Sequence, residues 1–544
     1  MQLAIFNSCD GLGLARSLAD LQIPQTIVMR ESVPDLVAQT FLKYFLTTLA
    51  QGESFYLSVR RAREQLQGME DSFPCATWLP VIYQHPAQIP FTWSKSSRQR
   101  NLFRVLTSGA IAALLTGMVQ PTPQAPDPLA DRMSLGEEIL VKAHANSDKE
   151  AGVKAFGLGN FSLAVEQFKA SLKQERNDPE ALIYLNNARI GKKSALKIAV
   201  SVPIGSNLNV AEEILRGVAQ AQEEVNRKGG INHQLLQVEI ADDENAPEIA
   251  EELAVRFVKD SDIMAVIGHN ASDASVKAAR VYNPNGLVMV SPTSFSDKLS
   301  SSDKYIFRMA PSISFVASEL SRYAIKSDRK TRIAICSDSL AIDNESFRNN
   351  FTYAVLSNGG QFVNIDCDFS DPNFNPRRAI SDAISSGADS LLLAPHVDRI
   401  NKALEIARAN QGKLTLYGSP TLYTAQTLQQ GQADVNGLVL SVPWYPKPIP
   451  GNSFLPLATQ LWGGAVNWRT ALAYDATQAI ITGLKSSSTR EGLQKTLNSR
   501  HFLSKGATGT IQFFPPGERN LNSRFLVQVQ PSKASFGYTF RPLP

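Results

Sequence analysis

From residue 195 onward, short apolar runs alternate with longer amphipathic ones. "ALKIAVSVPIG" (195–205) reads as a buried strand running into a loop, and "AEEILRGVAQAQEEVNRKGGI" (211–231) as an amphipathic helix stopped by Gly229 and Gly230. The pattern then repeats: "LLQVEIADDE" is a strand, "APEIAEELAVRFVKD" a helix, "IMAVIGHNASD" a strand, "ASVKAARVYNPNG" a helix and "LVMVSPTSFSD" a strand. A second series starts at "RIAICSDS" (332–339) and continues through "FVNIDCDFSD", "ADSLLLAPH" and "LTLYGSPT". Strand, helix, strand order with apolar strands predicts α/β architecture, with parallel sheets covered on both faces. Two such series predict two lobes.

Upstream, the pattern changes three times. "SKSSRQRNLFR" (94–104) carries Lys95, Arg98, Arg100 and Arg104, and the next fifteen residues, "VLTSGAIAALLTGMV" (105–119), carry no charge. At about 1.5 Å each, fifteen helical residues fall short of the roughly 30 Å hydrocarbon core, so Leu102 and Phe103 extend the span while Arg104 snorkels. A transmembrane helix is therefore expected at 102–119, followed by a Pro-rich linker at 120–147. The basic flank places residues 1–104 in the cytoplasm and everything after 120 outside. At 148–192, Val153, Phe156, Phe161, Ala164, Val165, Phe168 and Leu172 fall at helical spacing. Gly159 and Asn160 separate two helices, Gly152 and Ala164 let them approach, and Pro179 opens a third. This unit resembles a single tetratricopeptide repeat, which must pack on a neighbour or act as a stalk.

Composition narrows the class. The 544 residues are too many for one core, and a net charge of +4 over that length gives little support to a nucleic-acid partner. Four Cys without paired spacing exclude a disulfide scaffold and a zinc ribbon, and no metal or cofactor is expected. Cys336 and Cys367 fall on neighbouring predicted strands, where they could form a disulfide, but two buried free thiols are the favoured expectation.

Ligands of open parallel sheets bind beyond the carboxyl ends of the strands. Those loops here are "PIGSN" (203–207), "GHNASDAS" (268–275), "SPTSFSD" (291–297), "CSDS" (336–339), "APHVD" (394–398) and "YGSPTLY" (417–423). Their hydroxyls and helix-start N–H groups suit a carboxylate, although the same residues are ordinary helix caps. As a set, "RGVAQAQEEVNRKGGI", "VIGHNASDAS", "VMVSPTSFSD", "YIFRMAPS", "ALAYDATQAI" and "GATGTIQFFPPGER" resemble the type I periplasmic binding proteins of the branched-chain amino-acid class. That resemblance, over 195–544, implies two lobes, one from 195–313 and 443–500, the other from 314–442 and 501–544. It also implies closure of the lobes around a small ligand.

By the same resemblance, Ser272 corresponds to a serine that holds the ligand carboxylate, and Thr293 and Ser294 to the pair that grips the α-amino and carboxylate groups. Phe295 stands where the family usually has a hydroxyl, and "DSLAIDNESF" has no counterpart of the family's tyrosine. The acidic residue for the ligand ammonium would fall near "GSPT", where Pro420 stands, leaving Asp343 or Asp338 as replacements. Asn207, Asn270 and His396 are further candidates.

At the other end, "LAIFNSCDGLGLARSLADLQIPQTIVM" and "FPCATWLPVIYQHP" resemble the second half of a CHAT domain, the caspase-like fold of separase relatives, over 1–90. Cys9 falls at the nucleophile position. Its general base would lie on an earlier strand, but no His precedes Cys9, and His85 reads as a loop residue. Either Met1 is an internal start or the region is a half-domain that no longer cleaves. The expected function is a membrane-anchored extracytoplasmic receptor for an amino acid or similar small polar ligand. It would serve sensing or ABC-type uptake with a permease or a cytoplasmic signalling partner, and not act as an enzyme. The alternatives are a caspase-like peptidase regulated by the ligand-binding domain, and a scaffold without ligand.

Overall fold

The computed structural model describes residues 4–6, 25–29, 34–50, 55–70, 73, 76–84, 129–300, 304–521, 525–533 and 536–543. Cys9, His85 and the apolar segment 102–119 lie outside the described residues. Among the described residues, no helix is long and apolar enough to cross a membrane. The chain divides into two units, Met1–Pro123 and Gln124–Pro544.

In the first unit, β1 (Ala4–Phe6) pairs parallel with β2 (Gln25–Met29), which pairs antiparallel with β3 (Pro80–Gln84). Two helices, Asp35–Ala50 and Phe55–Leu66, pack together and bury Phe41, Phe45, Phe55 and Val59 against Ile27 and Met29.

The second unit holds two sheets. The first takes β4 (Met133–Ser134), β5 (Ala195–Val202), β6 (Leu235–Asp242), β7 (Ile263–Ile267), β8 (Val288–Ser291) and β9 (Ile306–Arg308). The second takes β10 (Arg332–Ser337), β11 (Gln361–Val363), β12 (Ser390–Ala394), β13 (Thr415–Gly418) and β14 (Val439–Val442). Late in the chain come a hairpin of β15 (Ser504–Gly506) and β16 (Gly509–Ile511), then β17 (Phe513–Phe514), β18 (Glu518–Arg519), β19 (Phe525–Pro531) and β20 (Tyr538–Pro542). The sheet orders are β17-β18-β9-β8-β7-β5-β6-β4 and β11-β10-β12-β13-β14-β19-β20. The central strands are parallel and almost fully buried, as both-face coverage requires, while β4, β19 and β20 add antiparallel edges.

Three expectations are corrected. The return to lobe two comes at β19, near residue 525, and not at 501, because β17 and β18 hydrogen-bond into the first sheet beside β9. The stretch 129–146 is no free linker: Met133 and Ser134 pair with β6, and Leu129 is buried. Cys336 and Cys367 are joined in a disulfide with Cα atoms 4.7 Å apart, closing the end of β10 onto the segment before Asp368. Buried free thiols were the favoured expectation for two Cys on neighbouring predicted strands; Cys367 instead lies in the loop after β11, against the end of β10.

The helices Ser147–Gly157, Phe161–Gln174 and Pro179–Ile190 are docked on lobe one and share its core. Gly152 admits the Phe168 ring, which a Cβ there would meet at 2.7 Å. The third helix is buried along nearly all its length, and Asn187 extends the β6 ladder by bonding Val238 N–H and C=O at 3.1 and 2.7 Å. Lys149, fully buried, sits between Asp178 (2.6 Å) and Glu180 (2.7 Å), so the unit pairs its buried cation within itself.

His144 links this unit to lobe one through a 2.8 Å contact with Glu212. That hydrogen bond is the main reason its imidazole is held above its ordinary value. A raised histidine stabilises fully below its unfolded pKa, about 6.5, and the contribution is lost as pH rises through the folded value. His144→Gln is therefore expected to flatten the decline of melting temperature from about pH 6 to about pH 8. Equal slopes in the two proteins would refute the link.

Candidate functional site

The site is built where strands of both lobes end. In lobe one, β7 runs into Gly268–Ala271 and then the Ser272–Tyr282 helix, so Ser272 opens a helix with free N–H groups. Ser272 is 1% exposed, and its Oγ accepts from Ser294 Oγ at 2.9 Å, leaving the Ser272 proton to donate. Thr293 Oγ1 donates to the Asn270 carbonyl at 3.1 Å, so toward a ligand it can only accept. A donor serine at a helix start beside an acceptor threonine suits the two ends of a zwitterion.

These loops are held from behind by a chain that sequence reading missed. His269, fully buried, contacts Asp243 at 2.6 Å through Nδ1 and the Tyr282 hydroxyl at 3.1 Å through Nε2. Ser201 donates to the same Asp243 carboxylate, and Ser275 and Ser291 both donate to the His269 carbonyl. The signal was an ionisable pair, "DD" and "GH", at the ends of the two parallel strands that flank β5.

In lobe two, β10, β12 and β13 end side by side. Asp338 follows β10 and is fully buried, but it forms an ion pair with Arg399 and is spent as an ammonium acceptor. Asp343 lies in the first turn of the Ile342–Ser357 helix. Burial, followed by the charge of Asp273 on the facing helix, pushes its carboxyl above the usual range, while His396 pulls it down. His396, after β12, has a buried Nε2 with no partner, and Ser419, after β13, has a buried Oγ with none.

The lobes touch across this cleft. The Ser272–Tyr282 and Ile342–Ser357 helices are in contact, with Asp273 and Asp343 in their first turns. Asn207 caps its own helix through Val210 N–H (3.3 Å) and donates to the Val397 carbonyl of lobe two at 3.2 Å. Both ends of its amide are thus engaged by protein, making it a latch and not a ligand contact. Asn245, overlooked in the sequence, donates to Asp398 (3.1 Å) and accepts from Asn270 (3.0 Å). Phe295 fills the place expected of a hydroxyl by packing on Trp468, ring centroids 5.7 Å apart. Of the candidates, Ser272, Thr293, Ser294, Asp343 and His396 remain with capacity to meet a ligand; Asn207, Asn270 and Asp338 hold the frame.

The profile of the periplasmic binding protein family matches residues 195–535, and that of the CHAT domain matches residues 1–99. An amino acid binding protein of Pseudomonas aeruginosa is 33% identical over 96 residues, covering 18% of this chain and 26% of that protein. The chain thus spans about a quarter of that relative, as it does for the Leu/Ile/Val-binding protein homologs of Brucella abortus. The Leu/Ile/Val-binding protein of Escherichia coli is 24% identical over 316 residues, 56% of this chain and 83% of that one. A solved leucine binding protein from Thermotoga maritima superposes with a TM-score of 0.57 at 20% identity, over 64% of this chain and 98% of that one. The two-lobe fold is therefore that of amino-acid solute-binding proteins, and this chain belongs to the periplasmic binding protein family.

Proposed function

We propose that the protein is a membrane-anchored extracytoplasmic receptor whose lobes close on an α-amino acid or similar zwitterion, with 102–119 as the anchor. The observation that supports the reading is the contact between the Ser272–Tyr282 helix of lobe one and the Ile342–Ser357 helix of lobe two, which carry Ser272 and Asp343 at their starts. The Ser272 donor and helix N-terminus would take the carboxylate; Thr293 and Asp343 would take the ammonium. The basic flank before residue 105 and the Cys336–Cys367 disulfide both favour an oxidising compartment for the second unit. Tethering favours sensing over shuttling to a permease.

Asp343→Asn tests the ammonium half. The wild-type carboxyl is raised on folding, so the folded state holds its proton to higher pH than the unfolded chain, and stability falls as pH rises through that value. The variant is expected to be more stable than wild type at neutral pH without ligand, yet to bind an amino acid about 100-fold more weakly. Wild-type affinity should fall as pH drops through the raised value, and the variant's should not. Unchanged affinity in a thermal-shift titration would remove Asp343 from the site.

The CHAT match carries a second reading, a cysteine peptidase regulated by the receptor unit. Peptide hydrolysis by the purified chain that disappears in Cys9→Ser would establish it.

A further inference from the structure

A cavity of about 270 Å³ lies where the two lobes and the three-helix unit meet, and none of Ser272, Thr293, Ser294, Asp343 and His396 lines it. Its wall takes Asn177 from the helical unit, Glu213 from the Leu208–Arg227 helix, Trp462 and Arg469 from the segment before and into the Trp468–Ser486 helix, and Thr424 from lobe two. Two of these side chains are buried with a donor unused. Trp462 is 5% exposed and its indole Nε1–H has no partner; Arg469 is 3% exposed and its Nε–H has none.

Arg469 also donates through Nη1 to the Tyr423 carbonyl and through Nη2 to the Thr421 carbonyl, neither of which carries net charge, and its guanidinium lies 4.4 Å from the centre of the Trp468 ring. The acids nearby are already matched. Glu213 accepts from Arg216 at 2.9 Å and from Thr470, and Glu212 from Arg216 at 3.0 Å and from His144. Among the described residues no carboxylate forms an ion pair with Arg469. A desolvated guanidinium with no ion pair among the described residues, offset only by the more distant charge of Glu213, shares this cavity wall with an indole N–H that has no partner, so both can donate to an acceptor that enters the cavity. Two N–H donors match the two oxygens of a carboxylate, and the cavity excludes anything larger than a small molecule.

We propose that this cavity is a second ligand site, which takes a small carboxylate on the Trp462 indole N–H and the Arg469 Nε–H. Because its wall draws on both lobes and the helical unit, occupancy joins all three and favours the closed arrangement.

The test uses the full chain in detergent with ¹⁵N-labelled tryptophan, whose five indole resonances include one that Trp462→Phe removes. Sodium acetate is titrated at constant ionic strength set with sodium chloride. The expected result is a saturable shift of the Trp462 resonance, at least tenfold weaker in Arg469→Lys, which keeps the charge but lacks the Nε–H. The Ser272→Ala, Thr293→Ala variant should respond to acetate as wild type does. No saturable shift, an equal shift in Arg469→Lys, or loss of the response in the cleft variant would overturn the proposal. Should Arg469→Lys fail to fold, acetate must still raise the melting temperature of wild type and not of Trp462→Phe; equal stabilisation of both would refute the site.

Discussion

Alanine at both Ser272 and Thr293 is expected to abolish amino-acid binding while leaving the fold intact. The two hydroxyls lie on adjacent loops of lobe one, one with a proton left to donate and one able only to accept. A hydrogen bond to a charged group contributes about 1.5–3 kcal/mol, so losing one at each end of a zwitterion weakens affinity by 100-fold or more. The structural cost is small by comparison. Ser294 loses an acceptor and Asn270 a donor, but Ser294 N–H keeps its bond to Ser291 Oγ and Asn270 keeps Asn245. Binding is read by calorimetry and folding by melting temperature. A variant that melts like wild type and binds as tightly would show that the ligand is held elsewhere.

Asp475→Ala is expected to be the most damaging single change to stability. Asp475, in the Trp468–Ser486 helix, and Arg519, in β18, are both fully buried and 2.7 Å apart. Thr508 bonds both of them, donating to Asp475 at 2.6 Å and accepting from Arg519 at 2.6 Å. The cluster therefore ties the helix, the β15–β16 hairpin and the edge of the first sheet. Removing one partner leaves a buried uncompensated charge, at a cost of about 3–5 kcal/mol. Replacing both, as in Asp475→Ala with Arg519→Met, is expected to cost less than Asp475→Ala alone, since no charge is stranded. Urea midpoints followed by tryptophan fluorescence give the comparison. An Asp475→Ala midpoint within error of wild type would contradict it.

The parallel core of both lobes was legible in the sequence because strands such as β12, "SLLLA", are apolar after their first residue and end in turn residues. The third crossing between lobes was not. Two-residue strands such as β17 and β18 carry too few positions to show a period, and only their pairing beside β9 reveals which sheet they join. The site divides in the same way. Ser272 and Thr293 were nominated by the family resemblance of their loops, whereas the loops after parallel strands also offered Asn207. Sequence could not tell that Val397, 190 positions away, receives its amide. Asp338 and Asp343 were equivalent as acids in one loop until Arg399 was seen to take the first. Long-range partners decide each case, and hydrophobic pattern carries no record of them. The disulfide follows the same logic: neighbouring predicted strands left a Cys336–Cys367 bond open, and only the path of the loop after β11 brings the two Cα atoms to 4.7 Å.

The central claim, a zwitterion held between the lobes, is tested most directly by calorimetric titration of the full chain in detergent with a panel of α-amino acids, their deaminated carboxylates and their decarboxylated amines. The account predicts saturable heat near one ligand per chain for at least one amino acid, and none of comparable affinity for its deaminated or decarboxylated analogue. No heat with any amino acid, or equal affinity for the amino acid and its deaminated analogue, would contradict it.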